Sequence, residues 1–426
     1  MAVTADRLKE AYRKEYDKNP VFTLFLTILI VFFTVFVSAA AITGGDTVYH
    51  AMFDDRSDTF MDHFNSILYS YDHPYSKWDV IYPPLITLFY SIIGHFTVPF
   101  IDVLPGQTLT IVLRGSQMGM MSLILVMALT FYALHLIFSR IMRSMDMKKE
   151  LMFLFLILLG YPFIFAVERG NSILLALVFC FIFLLGYRSE NKIIRYASYI
   201  ALGCAAGIKL YPAILLLLLL RDRNYREAGI CAAIVAALVL IPFAFTDGDP
   251  LTFLVNVFAY SGANLGVTNI NQIVLGIFQE LLGFSESTAL VISYAAVGLF
   301  TLLSFIVILL DREMKFWKVV ALISCNLILG LGVGTQYQVV YMAMPILYFL
   351  AAEKEMTRGN MFYVVCFAMT MVLIPGIYIA DHPSFMLIGA IETVFIILIA
   401  IAIIREGLAR ILRARSEQRQ VVETAS

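Results

Sequence analysis

Long apolar runs, separated by short polar or charged segments, follow one another along almost the whole chain. A helix needs about 20 apolar residues to cross a hydrocarbon core of about 30 Å. On this pattern we predict membrane spans near 21–41, 109–138, 150–166, 172–187, 228–245, 287–310, 318–335, 339–351, 361–380 and 385–404. The first run is full length, which favours a retained anchor over a cleaved signal peptide.

Two further apolar runs do not fit a simple span. The run 81–104 opens with Pro83 and Pro84, and counting it as a span would move the basic residues of 140–149 to the outside. We therefore predict an interfacial helix on the outer side. The run 196–220 has basic residues beyond both ends, and Pro212 favours a break. We predict a re-entrant hairpin of two short helices whose tip is Lys209-Leu-Tyr-Pro212.

The composition and the charge distribution indicate a polytopic membrane protein. Apolar residues make up 61% of the chain and charged residues 14%, against roughly half and a quarter in soluble domains. With the N-terminus inside, 25 of the 30 Lys and Arg residues lie on cytoplasmic segments, as the positive-inside rule expects. Both termini are therefore predicted to be cytoplasmic. The predicted fold class is an all-α bundle of about 11 to 13 transmembrane or re-entrant helices.

This topology divides the chain into three parts. A cytoplasmic segment, 1–20, precedes one transmembrane domain, 21–404, and a basic cytoplasmic tail, 405–426, follows it. The predicted outer loops are 42–108 and 246–286. The five cysteines all lie inside apolar runs, so we expect small buried hydrophobes and neither a disulfide framework nor a zinc site.

The first outer loop is dense in acidic residues. For Asp58, Asp62 and Asp72 we expect ordinary solvated loop charges. Asp46 differs because it follows Gly44-Gly45 directly after the first span, at the membrane surface. Partial desolvation there suits a carboxylate to accept a proton from a hydroxyl group.

Three cations outside the cytoplasmic segments are candidates for binding an anion. Arg114 lies just inside the second span and requires an anionic partner or contact with the interface. Arg169 belongs to the turn Glu168-Arg169-Gly-Asn171, where an internal Glu168–Arg169 pair is an equally good interpretation. Lys209 lies at the hairpin tip within the membrane, where an ionisable residue indicates function.

Neutral hydrogen-bonding residues lie on the same predicted face, among them Gln336 and Gln338. Such groups suit sugar hydroxyls, and the cations suit a phosphate. No nucleotide-binding motif and no nucleic-acid-binding pattern is present in the sequence. A lipid-linked sugar phosphate is the ligand that this combination of residues fits best.

Short motifs also resemble glycosyltransferase family 87, whose members belong to the GT-C superfamily of polyprenyl-phosphate-sugar-dependent transferases. The element order is similar over nearly the whole chain. The motifs that carry the resemblance are Gly45-Asp46-Thr-Val-Tyr49-His50, His73-Pro74-Tyr75, Ile81-Tyr82-Pro83-Pro84-Leu85, Arg169-Gly-Asn171 and Ala205-Ala-Gly-Ile-Lys209-Leu-Tyr-Pro212.

The resemblance implies a GT-C-like helical bundle and an inverting transfer on the extracytoplasmic face of a bacterial plasma membrane. Asp46 would be the base, and Lys209, Arg169 and Arg114 would bind the phosphate of a polyprenyl-phosphate donor. The sugar, mannose or another hexose or pentose, would pass to a lipid or glycan acceptor. Residues expected to contact sugar or acceptor are Tyr49, His50, Tyr82, Glu168, Asn171, Tyr211, Gln336 and Gln338. No metal or other cofactor is expected, although Asp54-Asp55 would be the acids for a metal-assisted alternative.

Two other functions fit an outer-face membrane protein that handles lipid-linked glycans. A transporter or flippase would typically show internal repeats with a site near the midplane, and no repeat is visible. An O-antigen polymerase or ligase would place Arg and His in a large late loop, whereas 246–286 contains no Lys, Arg or His. Both remain the alternatives to a glycosyltransferase.

Overall fold

A computed structural model of the chain describes residues 13, 18–52, 58–102, 107–143, 147–261, 276–330, 336–376 and 384–425. The described part is helical and contains no strand, which confirms the predicted all-α class. Most of the predicted cytoplasmic segment 1–20 lies outside the described residues, as do Asp54 and Asp55.

The first four helices comprise the N-terminal apolar helix and the three helices of the first polar loop. The first begins where the Asn19 side chain caps the backbone N–H of Phe22 at 3.2 Å, with Pro20 in the first turn. Pro83 and Pro84 open the fourth, as predicted for the run 81–104. The bounds are α1 Pro20–Ile42, α2 Asp46–Met52, α3 Met61–Tyr71 and α4 Pro84–Thr97, with a 3₁₀ turn at Val98–Phe100.

The middle of the chain contains a broken span and the predicted hairpin. Leu159 and Gly160 separate two helices that meet at an angle of 57°, and Pro162 lies in the first turn of the second helix. The bounds are α5 Leu109–Gly115, α6 Gln117–Ile141, α7 Met147–Leu158, α8 Tyr161–Glu168, α9 Ile173–Gly186, α10 Lys192–Ile208, a 3₁₀ helix at Tyr211–Leu216 and α11 Leu217–Arg221.

The last third ends in one long helix that carries the C-terminal basic residues. The long helix is α18, Ser384–Ala425. The elements before it in this third are α12 Tyr225–Leu240, a 3₁₀ helix at Ile241–Phe245, α13 Pro250–Ser261, a π turn at Ile277–Leu281, α14 Glu286–Leu310, α15 Phe316–Leu329, a 3₁₀ helix at Gln336–Met342, α16 Ala343–Ala352 and α17 Arg358–Met369.

Fewer helices are long enough to cross a membrane alone than the sequence predicted. Among the described residues five qualify, or six if the bent pair α7–α8 is one span. The chain is thus an integral membrane protein, but the predicted spans 172–187, 318–335, 339–351 and 361–380 are helices of only 14, 14, 10 and 12 residues. Protein covers α15 and α16, which are almost entirely buried, whereas α9 and α17 keep exposed apolar side chains such as Leu185 and Met361. Short helices and irregular backbone are tolerated at membrane depth when protein covers them.

The hairpin 196–220 is broken where the sequence predicted. Helix α10 ends at Ile208, and Lys209 has an extended backbone with φ −139° and ψ 123°. The two ends of the segment lie together, because Arg188 before α10 makes two 2.7 Å hydrogen bonds to Asp222 after α11. The chain therefore turns back at Lys209. Its insertion into one side of the membrane stays a prediction.

Charged residues at Arg221, in 311–318, at Glu353 and in 406–410 meet at one end of the molecule, which we call the charged end. Arg221 contacts backbone carbonyls of 308–314, and the Arg410 guanidinium donates to Asp311 at 2.6 and 2.8 Å. Lys318 pairs with Glu406 and Lys315 with Glu353. This end is dense in satisfied ion pairs and contains none of the candidate site residues.

Candidate active site

Asp46 is the first residue of α2, a short helix directly after the anchor. Its carboxylate Oδ2 lies 3.3 Å from Nε2 of His50, one turn later, and its side chain is 67% exposed. Asp46 is thus more solvated than the sequence suggested. The rings of Tyr49 and His50 lie next to each other, 5.1 Å apart. Three of the predicted site residues therefore share one helix.

The segment after α17 fixes α2 in place. The Thr47 hydroxyl, which is buried, donates to the Gly376 carbonyl at 2.9 Å. A Cβ atom at Gly376 would lie 2.4 Å from the Ala51 nitrogen and 2.5 Å from the Thr47 carbonyl oxygen. Only glycine allows the two backbones to approach this closely. The position of Asp46 therefore depends on a contact 329 residues along the chain.

A cavity of about 570 Å³ opens beside α2, and we call it the α2 cavity. Arg114 at the end of α5 contributes its cationic side chain, and its Nη1 lies 3.4 Å from the Thr59 carbonyl. The rest of the lining is mostly apolar. The lining residues are Gly45, Val48, Tyr49, Thr59, Phe60, Arg114 and Met120.

A network of acids binds the turn between α8 and α9, and we call it the Arg169 network. The Arg169 guanidinium pairs with Asp58 and, at 2.9 Å, with Asp62. Asp62 also accepts a 2.7 Å hydrogen bond from the Asn171 side chain. Two backbone hydrogen bonds join the same segments, from Phe60 N–H to Glu168 at 2.6 Å and from Asp62 N–H to Arg169 at 3.0 Å.

This network corrects the expectation that Asp58 and Asp62 are ordinary solvated loop acids. The Asp62 side chain is only 17% exposed, and both acids are paired with Arg169. Their partner Arg169 lies 107 to 111 residues away in sequence, so no local sequence pattern predicts this pairing. A phosphate at Arg169 would have to compete with two carboxylates. The predicted internal pair of Glu168 with Arg169 is not among the ion pairs of the described residues.

Lys209 is 7% exposed and lies between two tyrosine rings. Its Nζ is 4.2 Å from the ring centroid of Tyr82 and 5.8 Å from that of Tyr337. Among the described residues no carboxylate lies within ion-pair distance of this ammonium, although Asp62 is close enough for its field to act on Lys209. We call Lys209, Tyr82 and Tyr337 the lysine cage.

The 3₁₀ helix at Gln336–Met342 lies beside the cage and is buried. Gln336 and Gln338 are 4% and 3% exposed, and no acceptor among the described residues lies within hydrogen-bonding distance of Gln336 Nε2. The ring of Tyr211 meets that of Tyr341 edge-on at 5.8 Å. Tyr337 stacks on Phe165, which stacks on Tyr161. A buried set of amide and phenol groups thus continues inward from the cage.

The structure therefore brings most predicted site residues into one region. Thr59 and Phe60 of the α2 cavity lie next to Asp58 in sequence, and Asp62 of the Arg169 network acts on Lys209. The candidate site consists of the α2 cavity, the Arg169 network and the lysine cage, and its residues lie on α2, α3, α5 and α6 and on connections between helices.

The family model for glycosyltransferase family 87 matches residues 81–331, more than half of the chain. The chain belongs to glycosyltransferase family 87. The matched part contains Tyr82, Arg114, the Arg169 turn and Lys209, whereas Asp46 lies before it and Gln336 after it. No curated protein and no solved structure matches the chain.

Membership in family 87 makes the protein a membrane glycosyltransferase. Several further residues near its candidate site were not predicted from the sequence. Glu392 in α18 is 1% exposed, neither carboxylate oxygen has a hydrogen-bond partner among the described residues, and its field reaches Tyr161. An acid inside an apolar run was a visible signal for it.

His63 in α3 of this glycosyltransferase was also missed. It is fully buried, its Nε2 lies 2.9 Å from the Ser122 hydroxyl, and burial lowers its pKa to about 4. Tyr75 and Asp247, which join the two predicted outer loops, were missed as well, although Tyr75 belongs to a motif of the family resemblance. No group of three metal-ligating side chains occurs within the described ranges.

Proposed function

We propose that this family 87 glycosyltransferase moves a hexose or pentose from a polyprenyl-phosphate donor to a lipid or glycan acceptor on the extracytoplasmic face. The observation that carries the proposal is Lys209, an almost fully buried ammonium held by two aromatic rings without an ion-paired carboxylate among the described residues. A buried charge of this kind is costly unless a ligand compensates it. A phosphate oxygen is the compensating group that suits a compact ammonium.

The aromatic rings around Lys209 leave the N–H groups of its ammonium available to bind a phosphate. A carboxylate partner would neutralise Lys209, whereas ring faces attract the cation without accepting its three N–H groups in ordinary hydrogen bonds. Arg169 is a weaker candidate than Lys209 for binding a phosphate, because Asp58 and Asp62 already balance its charge. We therefore assign the donor phosphate to Lys209, with Arg114 as a second cation, and give Arg169 the task of positioning the turn.

The α2 cavity would hold the reacting sugar and the acceptor hydroxyl. Tyr49 and Arg114 line it, and Asp46 and His50 lie on the same helix as Tyr49. An apolar cavity with a few polar groups is typical of a site for a partly apolar ligand. Gln336, whose Nε2 lacks an acceptor among the described residues, is the best placed neutral donor near the cage.

The reaction would be a single displacement at the anomeric carbon. Asp46 takes the proton of the acceptor hydroxyl while its oxygen bonds to C1 of the sugar. The bond between C1 and the phosphate oxygen breaks, and its electron pair leaves with the polyprenyl phosphate. Lys209 and Arg114 stabilise the charge that develops there, and the configuration at C1 is inverted.

Incubating the purified protein with a panel of polyprenyl-phosphate sugars tests this proposal. We expect one donor to lose its sugar to water or to an added acceptor, and Asp46→Asn to slow that loss by at least about a hundredfold, because Asn cannot accept the proton. Asp72→Asn is the matched control, since Asp72 is paired with Lys77 at the surface and is expected to matter little.

Two results would contradict the assignment. If no polyprenyl-phosphate sugar is consumed, the donor class is wrong. If Asp46→Asn is active while Asp54→Asn or Asp55→Asn is not, and a chelator stops the wild type, a metal-assisted site replaces Asp46.

The proposed face of the membrane needs its own test. The variants Lys77→Cys and Ser416→Cys place one cysteine on the predicted outer side and one on the predicted cytoplasmic side, and both positions are exposed. An impermeant thiol reagent added to intact cells should label the first and spare the second. Labelling of Ser416→Cys alone would place the candidate site in the cytoplasm.

A further inference from the structure

The second outer loop is attached to the first by the Asp247 carboxylate and by the Asn256 amide, which donates to the Tyr75 and Val80 carbonyls at 3.5 Å. Asp247 Oδ1 accepts from Tyr75 N–H at 3.2 Å, and Oδ2 accepts from the Ser76 N–H at 3.1 Å and the Ser76 hydroxyl at 2.6 Å. Burial opposes the charge of Asp247, but the hydrogen bonds from Ser76 and Tyr75 outweigh it and lower the pKa of Asp247. The carboxylate is therefore ionised at neutral pH and fixes the backbone at Tyr75.

Tyr75 carries this contact inward to the next motif. Its side chain is 1% exposed, packs against Phe243 and Phe253, and donates its hydroxyl to the Tyr82 carbonyl at 2.8 Å. A Cβ atom at Gly248 would lie 2.5 Å from the Tyr75 ring, so this close packing requires glycine after Asp247.

Of the two rings of the lysine cage, that of Tyr82 lies closer to Lys209. A continuous series of contacts therefore runs from Asp247 through Tyr75 and the Tyr82 backbone to the lysine ammonium. Each noncovalent step is a hydrogen bond or a contact between the ammonium and a ring. The second outer loop is thereby linked to the Tyr82 backbone, from which the ring extends to Lys209.

We propose that Asp247 and Tyr75 are positioning residues that hold the Tyr82 ring over Lys209 and so set the affinity of the site for a lipid phosphate. This inference rests on the proposed function of Lys209 as the phosphate ligand. Neither residue touches the ligand. Each acts by keeping the ammonium in the orientation that a phosphate needs.

The affinity for farnesyl phosphate, measured by calorimetry on the full chain in nanodiscs, tests the inference. Tyr75→Phe removes one hydrogen bond and should weaken binding about two- to tenfold. Asp247→Asn should have an effect of similar size. The matched control is Asp249→Asn, because Asp249 lies on the same loop but only caps α13, through Leu251 and Thr252.

A double-mutant cycle separates positioning from a general loss of stability. If Tyr75 acts through the ring, Tyr75→Phe should change the affinity by less than about twofold once Tyr82→Leu has removed that ring. If the two effects add, or if Tyr75→Phe and Asp247→Asn only lower the melting temperature, the inference is wrong.

Lys209→Met distinguishes this failure from a failure of the proposed function. Loss of farnesyl phosphate binding in Lys209→Met, together with unchanged affinity in Tyr75→Phe and Asp247→Asn, would overturn the positioning role alone. Unchanged binding in Lys209→Met would overturn the phosphate site and the inference with it.

Discussion

Lys209 at the tip of the hairpin and Arg221 directly after its second arm are both buried cations, but they have opposite surroundings. Arg221, 6% exposed at the charged end, donates to the carbonyls of Ile308, Asp311, Arg312 and Met314 at 2.6 to 3.1 Å. Lys209, 7% exposed at the hairpin tip, has two aromatic rings and no ion-paired carboxylate among the described residues. A saturated cation stabilises a fold, whereas one that keeps its donors can bind a ligand.

The largest expected effect is that of Lys209→Met on activity. Removing a preorganised group that stabilises developing charge typically costs about 10²- to 10³-fold in turnover, and we expect a loss of this size in sugar transfer. The melting temperature should stay the same or rise, because a costly buried charge has been removed. Steady-state kinetics and a thermal scan on the same sample provide both measurements. A large fall in melting temperature would remove the contrast with Arg221.

Arg221→Met should have the reverse effect. Four backbone carbonyls lose their donor, which we expect to lower the free energy of unfolding by at least about 3 kcal/mol, while turnover per folded molecule is unchanged. Thermal scans and size-exclusion profiles measure the first, and kinetics on the folded fraction measure the second. If Arg221→Met folds normally but cannot transfer sugar, the charged end also takes part in catalysis.

The smallest effect concerns His63, a buried group that lies on the same side as the site and is kept uncharged. Its folded pKa, about 4, lies below the unfolded value near 6.5, so the unfolded chain takes up more protons as the pH falls. The contribution of the neutral His63 ring to the free energy of unfolding is fully present above pH 6.5 and decreases toward pH 4. Between pH 7.5 and 5.5 it decreases by about 1 kcal/mol.

His63→Gln should therefore reduce the fall in melting temperature between pH 7.5 and 5.5. His95→Gln, at an exposed position on α4, is the matched control and should leave the wild-type dependence unchanged. An equal pH dependence in all three proteins would mean that His63 is not buried as a neutral ring.

The apolar pattern and the basic residues predicted the fold class and the break at Lys209, because both are local properties of the chain. Helix lengths were less predictable: the run that contains α15 looks like a span, yet protein rather than lipid covers that helix. The pairing of Arg169 with Asp62 and the contact of Asp247 with Tyr75 join residues 107 and 172 positions apart. Such pairs follow from tertiary packing and have no signature in either segment. The sequence shows Glu392 as an acid in an apolar run, but it does not predict that Glu392 lies close to Tyr161.

The four hydrogen bonds of Arg221 also bear on how the protein is made. Its carbonyl acceptors are synthesised 87 to 93 residues after it, which at ribosomal rates is a delay of roughly 5 to 20 s. During that interval the guanidinium has to be accommodated by lipid head groups or by the insertion machinery. Arg221 therefore reaches its final hydrogen-bond partners only after α14 and the turn that follows it have been synthesised, and a ribosome that stalls before them leaves the guanidinium without its carbonyl acceptors.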